Sequence, residues 1–376
     1  ITVDAESAIS NLTITDAVNV TINGEGATAD LEALTLDATD TKTLTLTADD
    51  GTSLDTGSIA STDEITTITA TTTKASGTIT TGSTSATTGT IADLDGLTTL
   101  NLSASNANLT FGPLGSNATA GNAELLTSLT ATATGTSVVL ETGTLYADNT
   151  VDSTSDLAMT LNITTNVGAR NNIGAIDNTY GSITSTIVSH SDNDTDLGNL
   201  TSVAQTHTVS GGGDTDFAAI TASGAVTVTS TGSGDLIIAD ANVDGTSASL
   251  NVDASGMSGT ANVTATNTSV ATTLTGGSGA DILTGGSVAD TITGGGGGDS
   301  LTGATGDDTL DGGAGNDTIL GGAGDDVLTG GDGVDSITAG AGFDSISGGG
   351  GNDTIVLAAN ISLSDSVDGG DGTDTV

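Results

Sequence analysis

The chain has no cysteine, no tryptophan, a single proline and only three basic side chains, Lys42, Lys74 and Arg170. Each shortage excludes something. Without cysteine there is no disulfide framework. Without a basic patch there is no footprint for nucleic acid and no direct attraction to anionic lipid. The lone Pro113 makes no proline-rich hinge. No apolar run is long enough to span a membrane, and no secretory signal is visible. Catalytic signatures are missing too. The two histidines, His190 and His207, form no His-Glu-x-x-His pair, and there is no Gly-x-Ser-x-Gly elbow and no phosphate-binding Gly-x-x-x-x-Gly-Lys. The expectation is a protein that is not an enzyme.

What is present is acid, threonine and glycine. The 376 residues carry 47 acids against those three bases, a formal net charge of −44. Acidity with 1% aromatics can signal disorder, but the 35% hydrophobic content is scattered as single aliphatics between Thr and Ser. That alternation is the period of strands. It recurs at Leu12–Thr15, Val18–Ile22 and Leu44–Thr47, and again at Val226–Val228, Leu236–Ile238, Leu250–Val252 and Ala261–Thr264. The Thr and Ser residues read as outward strand positions and not as nucleophiles. A looser repeat joins Leu34, Ile65, Leu97 and Leu126 in near-even steps, a plausible length for one irregular solenoid coil. Residues 145–195, holding Tyr146, Arg170, Tyr180 and His190, break the pattern and read as an insertion or long loop.

The most regular stretch is Gly276 to Val356. Written in nines it runs GGSGADILT, GGSVADTIT, GGGGGDSLT, GATGDDTLD, GGAGNDTIL, GGAGDDVLT, GGDGVDSIT, AGAGFDSIS, GGGGNDTIV. The sixth place is always Asp: Asp281, Asp290, Asp299, Asp308, Asp317, Asp326, Asp335, Asp344 and Asp353. The eighth is always a branched aliphatic, from Leu283 to Ile355. Glycines allow a tight six-residue turn through positive φ. The three residues after each turn make a short strand, and one aliphatic per unit is buried only if coils stack roughly 4.8 Å apart. Stacking also piles up carboxylates, which about 5 Å apart repel by roughly 1–3 kcal/mol. A hard divalent cation relieves this, taking Asp oxygens and turn carbonyls as ligands.

These residues resemble the RTX repeats, glycine-rich nonapeptides that form a calcium-bound parallel β-roll. In that family two nonapeptides make one coil. The resemblance therefore implies one ladder through Asp281, Asp299, Asp317, Asp335 and Asp353, and another through Asp290, Asp308, Asp326 and Asp344. Asp371 and Asp374 in the closing GGDGTDTV begin a further calcium turn, and the chain reads as part of a longer protein. The carbonyls expected to join the acids are those of turn glycines such as Gly277, Gly279, Gly295, Gly297, Gly313, Gly315, Gly322, Gly324, Gly331, Gly333, Gly349 and Gly351. Three units depart from the pattern, with Val288 at a fourth place, Ala304 at a second and Ala339 at a first. Val288, β-branched where positive φ is expected, marks the weakest site.

The expected architecture is all-β: an irregular parallel β-solenoid or β-helix continuing into a calcium-bound RTX β-roll. Its parts are residues 1–210, 211–275, 276–356 and an incomplete 357–376. The run from DGTSASLNVDASGMSGTANVTAT into LTGGSGADILTGG is similar in style to Gram-negative bacterial surface-layer proteins. That resemblance implies an extracellular cell-surface array, exported by a type I system, with the chain itself as partner and cell-surface polysaccharide met through regions outside this chain. The alternatives are a stretch of a large secreted adhesin or a non-catalytic segment of a secreted hydrolase.

Overall fold

A computed structural model describes residues 1–5, 12–15, 19–24, 29–30, 33–37, 43–48, 53–55, 58–61, 66–72, 78–81, 98–105, 109–111, 126–134, 138–146, 158–166, 169–190, 194–245, 248–265, 269–357 and 365–376. Ile65, Leu97 and Pro113 lie outside the described residues. Every described element is a strand and every pairing given between strands is parallel. The fold is a parallel β-solenoid, and its chain divides into two compact units, Ile1–Val203 and Ala204–Val376.

In the first unit, strands Asn19–Gly24, Thr43–Ala48, Thr67–Thr72, Thr99–Ser105, Ser128–Thr134, Ala158–Thr165 and Ile176–Ser189 stack in register. Alternation explains the stacking, since Leu44, Ile68, Leu100, Leu129 and Leu161 all face inward with no exposed surface. Each such side chain contributes about 1.5–3 kcal/mol on burial. The coil length varies. Leu44 pairs with Ile68 and Met159 with Ile183 across short coils, whereas the coils joining Ile68 to Leu100 and Leu129 to Leu161 are the longest. The spacing expected from the sequence matches the run from Ile68 through Leu100 and Leu129 to Leu161. Leu34 belongs elsewhere: it pairs with Leu12 and Ile59 in a separate three-stranded sheet.

Residues 145–195 are not a loop where the structure describes them. Ala158–Thr165, Ala169–Ile173 and Ile176–Ser189 are full strands of the solenoid, while 147–157 lie outside the described residues. Met159, Leu161 and Ile163 alternate inward here, as do Ile183 and Ile187. The polar run around Arg170 hid this period, because buried Asn171 takes the inward position that Leu140 fills in the preceding coil and is followed there by buried Thr195.

In the second unit the coil tightens. Gln205 pairs with Val226, Val226 with Leu250 and Leu250 with Thr272, over coils shorter than those joining Ile68 to Leu100 and Leu129 to Leu161. From Thr273, which pairs with Thr291, to Val356 the spacing is constant at two nonapeptides per coil, one in each sheet. Thr291–Gly296, Thr309–Ala314, Val327–Asp332 and Ser345–Gly350 stack in one sheet; Ser300–Thr305, Thr318–Ala323 and Ser336–Ala341 stack in the other. These strands are 6 residues long and run on through the glycines, so the expected three-residue strands are too short. The eighth-place aliphatics form the inner seam, and seventh-place Ile282 is 46% exposed.

Candidate metal centre

The sixth-place acids lie where each turn meets its strand, and the constant coil length brings them into two ladders. The backbone N–H of Asp281 donates to Asp299 Oδ1 at 2.8 Å, Asp299 to Asp317, Asp317 to Asp335 and Asp335 to Asp353. On the other side Asp290 donates to Asp308, Asp308 to Asp326 and Asp326 to Asp344. All nine acids are at most 4% exposed. Each carboxylate thus spends one oxygen capping the turn of the preceding coil.

The second oxygen is the unusual one. Oδ2 of Asp299, Asp308, Asp317, Asp326, Asp335 and Asp353 is buried and has no hydrogen-bond partner. A buried carboxylate oxygen without a donor is costly, and a bound cation would offset that cost. Burial pushes Asp299, Asp308, Asp317 and Asp335 above the usual carboxylate range, and Asp326 up to about 6. The N–H from the preceding acid opposes that rise, and neighbouring acids of the ladder add to it.

First-place glycines keep the space beside these oxygens open. A Cβ on Gly312 would lie 2.4 Å from Asp317 Oδ2 and 2.5 Å from the Gly330 carbonyl oxygen. The same pairing of Oδ2 with the first-place carbonyl of the next coil recurs at Gly276, Gly285, Gly294, Gly303, Gly321, Gly330 and Gly348. At Ala339 a real Cβ takes this place, and Asp344 of that turn is absent from the six orphaned acids.

The twelve glycine carbonyls expected from the sequence lie in axial columns. That of Gly295 faces Gly313, Gly313 faces Gly331, Gly297 faces Gly315 and Gly315 faces Gly333, each against the Cα of the next coil. Gly277, Gly279, Gly322, Gly324, Gly331, Gly333, Gly349 and Gly351 follow suit. First-place carbonyls, which the sequence reading did not nominate, are the ones beside Oδ2.

Asp374 extends one ladder, accepting from Asp353 N at 3.0 Å. Asp371 does not join. It is an exposed third-place residue whose backbone bonds Gly349 and Gly351. Asp365, unremarked in the sequence, extends the other ladder by accepting from Asp344 N at 3.2 Å. Its signal was the spacing Asp365–Val367, which repeats Asp344–Ile346. A second, fifth-place series was also missed. Asp307, Asn316, Asp325 and Asn352 each accept an N–H from the following coil, and Asp214 and Asp235 do the same in coils before the nonapeptides.

The backbone corrects one expectation. Val288 does not take a positive φ; the strained residue is Ala304, at φ +80, the lone non-glycine of that kind among the described residues. Fourth-place positive φ begins only at Gly297, so Val288 sits in a turn that does not demand it.

The donor set is oxygen throughout, which suits calcium. Among the described residues no three acidic, imidazole or thiol side chains converge, so a cation here would be held by main-chain carbonyls together with Asp Oδ2. The residues therefore fit the ion that the nonapeptide pattern implies.

Comparison with known proteins gives the same reading for this stretch. The RTX calcium-binding nonapeptide repeat (4 copies) matches residues 273–292, 293–328 and 329–360. These residues are RTX calcium-binding repeats. No curated protein matches the chain, and no solved structure does.

Proposed function

We propose that this chain is a non-catalytic structural segment of a secreted bacterial protein, a subunit of a calcium-dependent surface layer or similar cell-surface array. The observation that carries the reading is the row of six buried carboxylate oxygens without a partner. A fold holding them is incomplete in a calcium-poor cytosol and complete at millimolar calcium outside the cell. Bound calcium supplies the positive charge that the ladders lack. The chain's own part is to hold each Asp with one oxygen on the neighbouring turn and the other beside a first-place carbonyl.

Self-association is supported by the outer face of the first unit. Three rows cross its coils: Thr43, Thr67, Thr99, Ser128, Thr160 and Thr184; Thr45, Thr69, Asn101, Thr130, Asn162 and Thr186; Thr47, Thr71, Ser103, Thr132 and Thr164. None is charged. In a chain of net charge −44 such a face is where two copies can approach without repulsion. Electron microscopy of the purified protein in millimolar calcium should give sheets or filaments that dissolve on chelation. A folded but monomeric protein in calcium would sink the array and favour an adhesin or hydrolase segment.

A further inference from the structure

We infer that Asp281 and Asp290, the first acid of each ladder, are capping residues and not calcium ligands, so that ion loading of the roll starts at Asp299 and Asp308. The inference rests on the calcium reading above and concerns how the ladder is divided.

The first observation is hydrogen-bond saturation. Asp281 Oδ1 accepts from Ala261 N at 2.6 Å and its Oδ2 from Gly277 N at 2.7 Å. Asp290 Oδ1 accepts from Thr272 N at 2.7 Å and its Oδ2 from Gly286 N at 2.6 Å. Both oxygens of both acids are taken, whereas Oδ2 of the six later acids has nothing. Two backbone N–H groups offset part of the cost of burying each carboxylate. The pairing of Oδ2 with a first-place carbonyl is kept here, Gly294 O beside Asp281 and Gly303 O beside Asp290, so the added N–H is what sets these two acids apart, and it leaves a cation less to gain.

The second observation is the backbone. In the later turns the second and fourth places take positive φ, as at Gly295 and Gly297, or Ala304 and Gly306. Gly277, Gly279, Gly286 and Val288 do not. The same two turns that bond their own Asp are thus the two with a different path. That is why Val288 is tolerated: its turn has no ion to wrap. The first two nonapeptides form a platform in which the N–H of Gly277 or Gly286 stands where later turns leave a vacant donor position.

Calcium bound to the full chain, counted by equilibrium dialysis, tests this. Asp281→Asn and Asp290→Asn should bind as many ions as the parent while melting at a lower temperature both with calcium and without it. Asp299→Asn and Asp317→Asn should each bind one ion fewer. An ion lost from folded Asp281→Asn or Asp290→Asn overturns the inference. Should those variants not fold, carboxyl ¹³C shifts in the unmodified protein decide it. Asp299 and Asp317 should move on adding calcium, and Asp281 and Asp290 should stay; movement of all four overturns the division. A parent chain that binds no calcium removes the underlying reading itself, a distinguishable result.

Discussion

The substitution Asp326→Asn isolates the cost of the ladder's charge. Asn keeps the Oδ1 that accepts from Asp308 N at 2.9 Å, and its amide can donate toward the Ala339 carbonyl, which lies beside Oδ2. What disappears is the negative charge. Burial pushes Asp326 from 3.8 to about 6, so the folded chain binds this proton more tightly than the unfolded chain does. The charged carboxylate therefore opposes folding above about pH 6. The opposition fades as pH falls through 6 and is gone below the unfolded value of 3.8. A rise of that size is worth about 3 kcal/mol for a group wholly out of water. With partial solvent screening at the turn, about 2 kcal/mol is the expected figure. In calcium-free buffer at pH 7.5, folding driven by an osmolyte and followed by circular dichroism should therefore reach its midpoint at lower osmolyte in Asp326→Asn than in the parent. The gap should narrow as pH falls through 6 and close below 3.8. In saturating calcium the order should invert, because the variant has given up a ligand. Using the difference between the two chains cancels His207, whose own titration pulls stability the other way. Equal midpoints at pH 7.5, or a gap that persists undiminished below pH 3.8, would refute the claim that unpaired charge holds the metal-free roll open.

Ala304→Gly should stabilise the roll by about 1 kcal/mol, seen as a rise of a few degrees in melting temperature, because it removes the strain at φ +80. Gly312→Ala should act the other way: its Cβ would meet Asp317 Oδ2 and the Gly330 carbonyl, so dialysis should show one ion fewer and melting should fall. His207 is wholly buried against Phe217 and bonded to Gln205, and burial lowers its pKa to about 3. Its ring resonances should stay constant from pH 8 to pH 5 in the calcium-loaded protein. A midpoint near 6.5 would mean that the ring reaches water.

How far the sequence revealed the molecule depended on how directly each constraint is written in residue spacing. The nonapeptide roll was plain because Asp and an aliphatic recur at fixed places, so the register and both ladders follow from counting. Asp365 escaped because its coil is longer than two nonapeptides and no glycine stands between Val356 and Asp365 in the sequence. In the first unit the strands were legible, since alternation such as Leu44 and Leu46 is local information. Coil length was not legible, because what fixes it is which distant strand receives the next one. The short coil from Leu44 to Ile68 serves as well as the long one from Ile68 to Leu100. Strand Ala158–Thr165 and its neighbours were misread because buried Asn171, Ser185 and Ser189 imitate a solvated loop. Val288 was suspected because one turn geometry was assumed for every repeat. The strain fell instead on Ala304, which looked the more innocent residue.

The hydrogen bonds of the two buried ladders have a direction. In every rung the amide belongs to the earlier acid and the carboxylate to the acid one coil later. The fifth-place bonds run the opposite way, but they are exposed, and water can replace either partner. Cutting the chain from its two sides is therefore not equivalent. Removing coils from the N-terminal side leaves a carboxylate oxygen idle, and an idle carboxylate at a water-facing edge is well solvated. Removing coils from the C-terminal side instead leaves an Asp amide without its acceptor at the new edge, a donor that only water can then satisfy. The interior of the roll is grammatical in one direction only: each turn is a clause closed by a residue still to come.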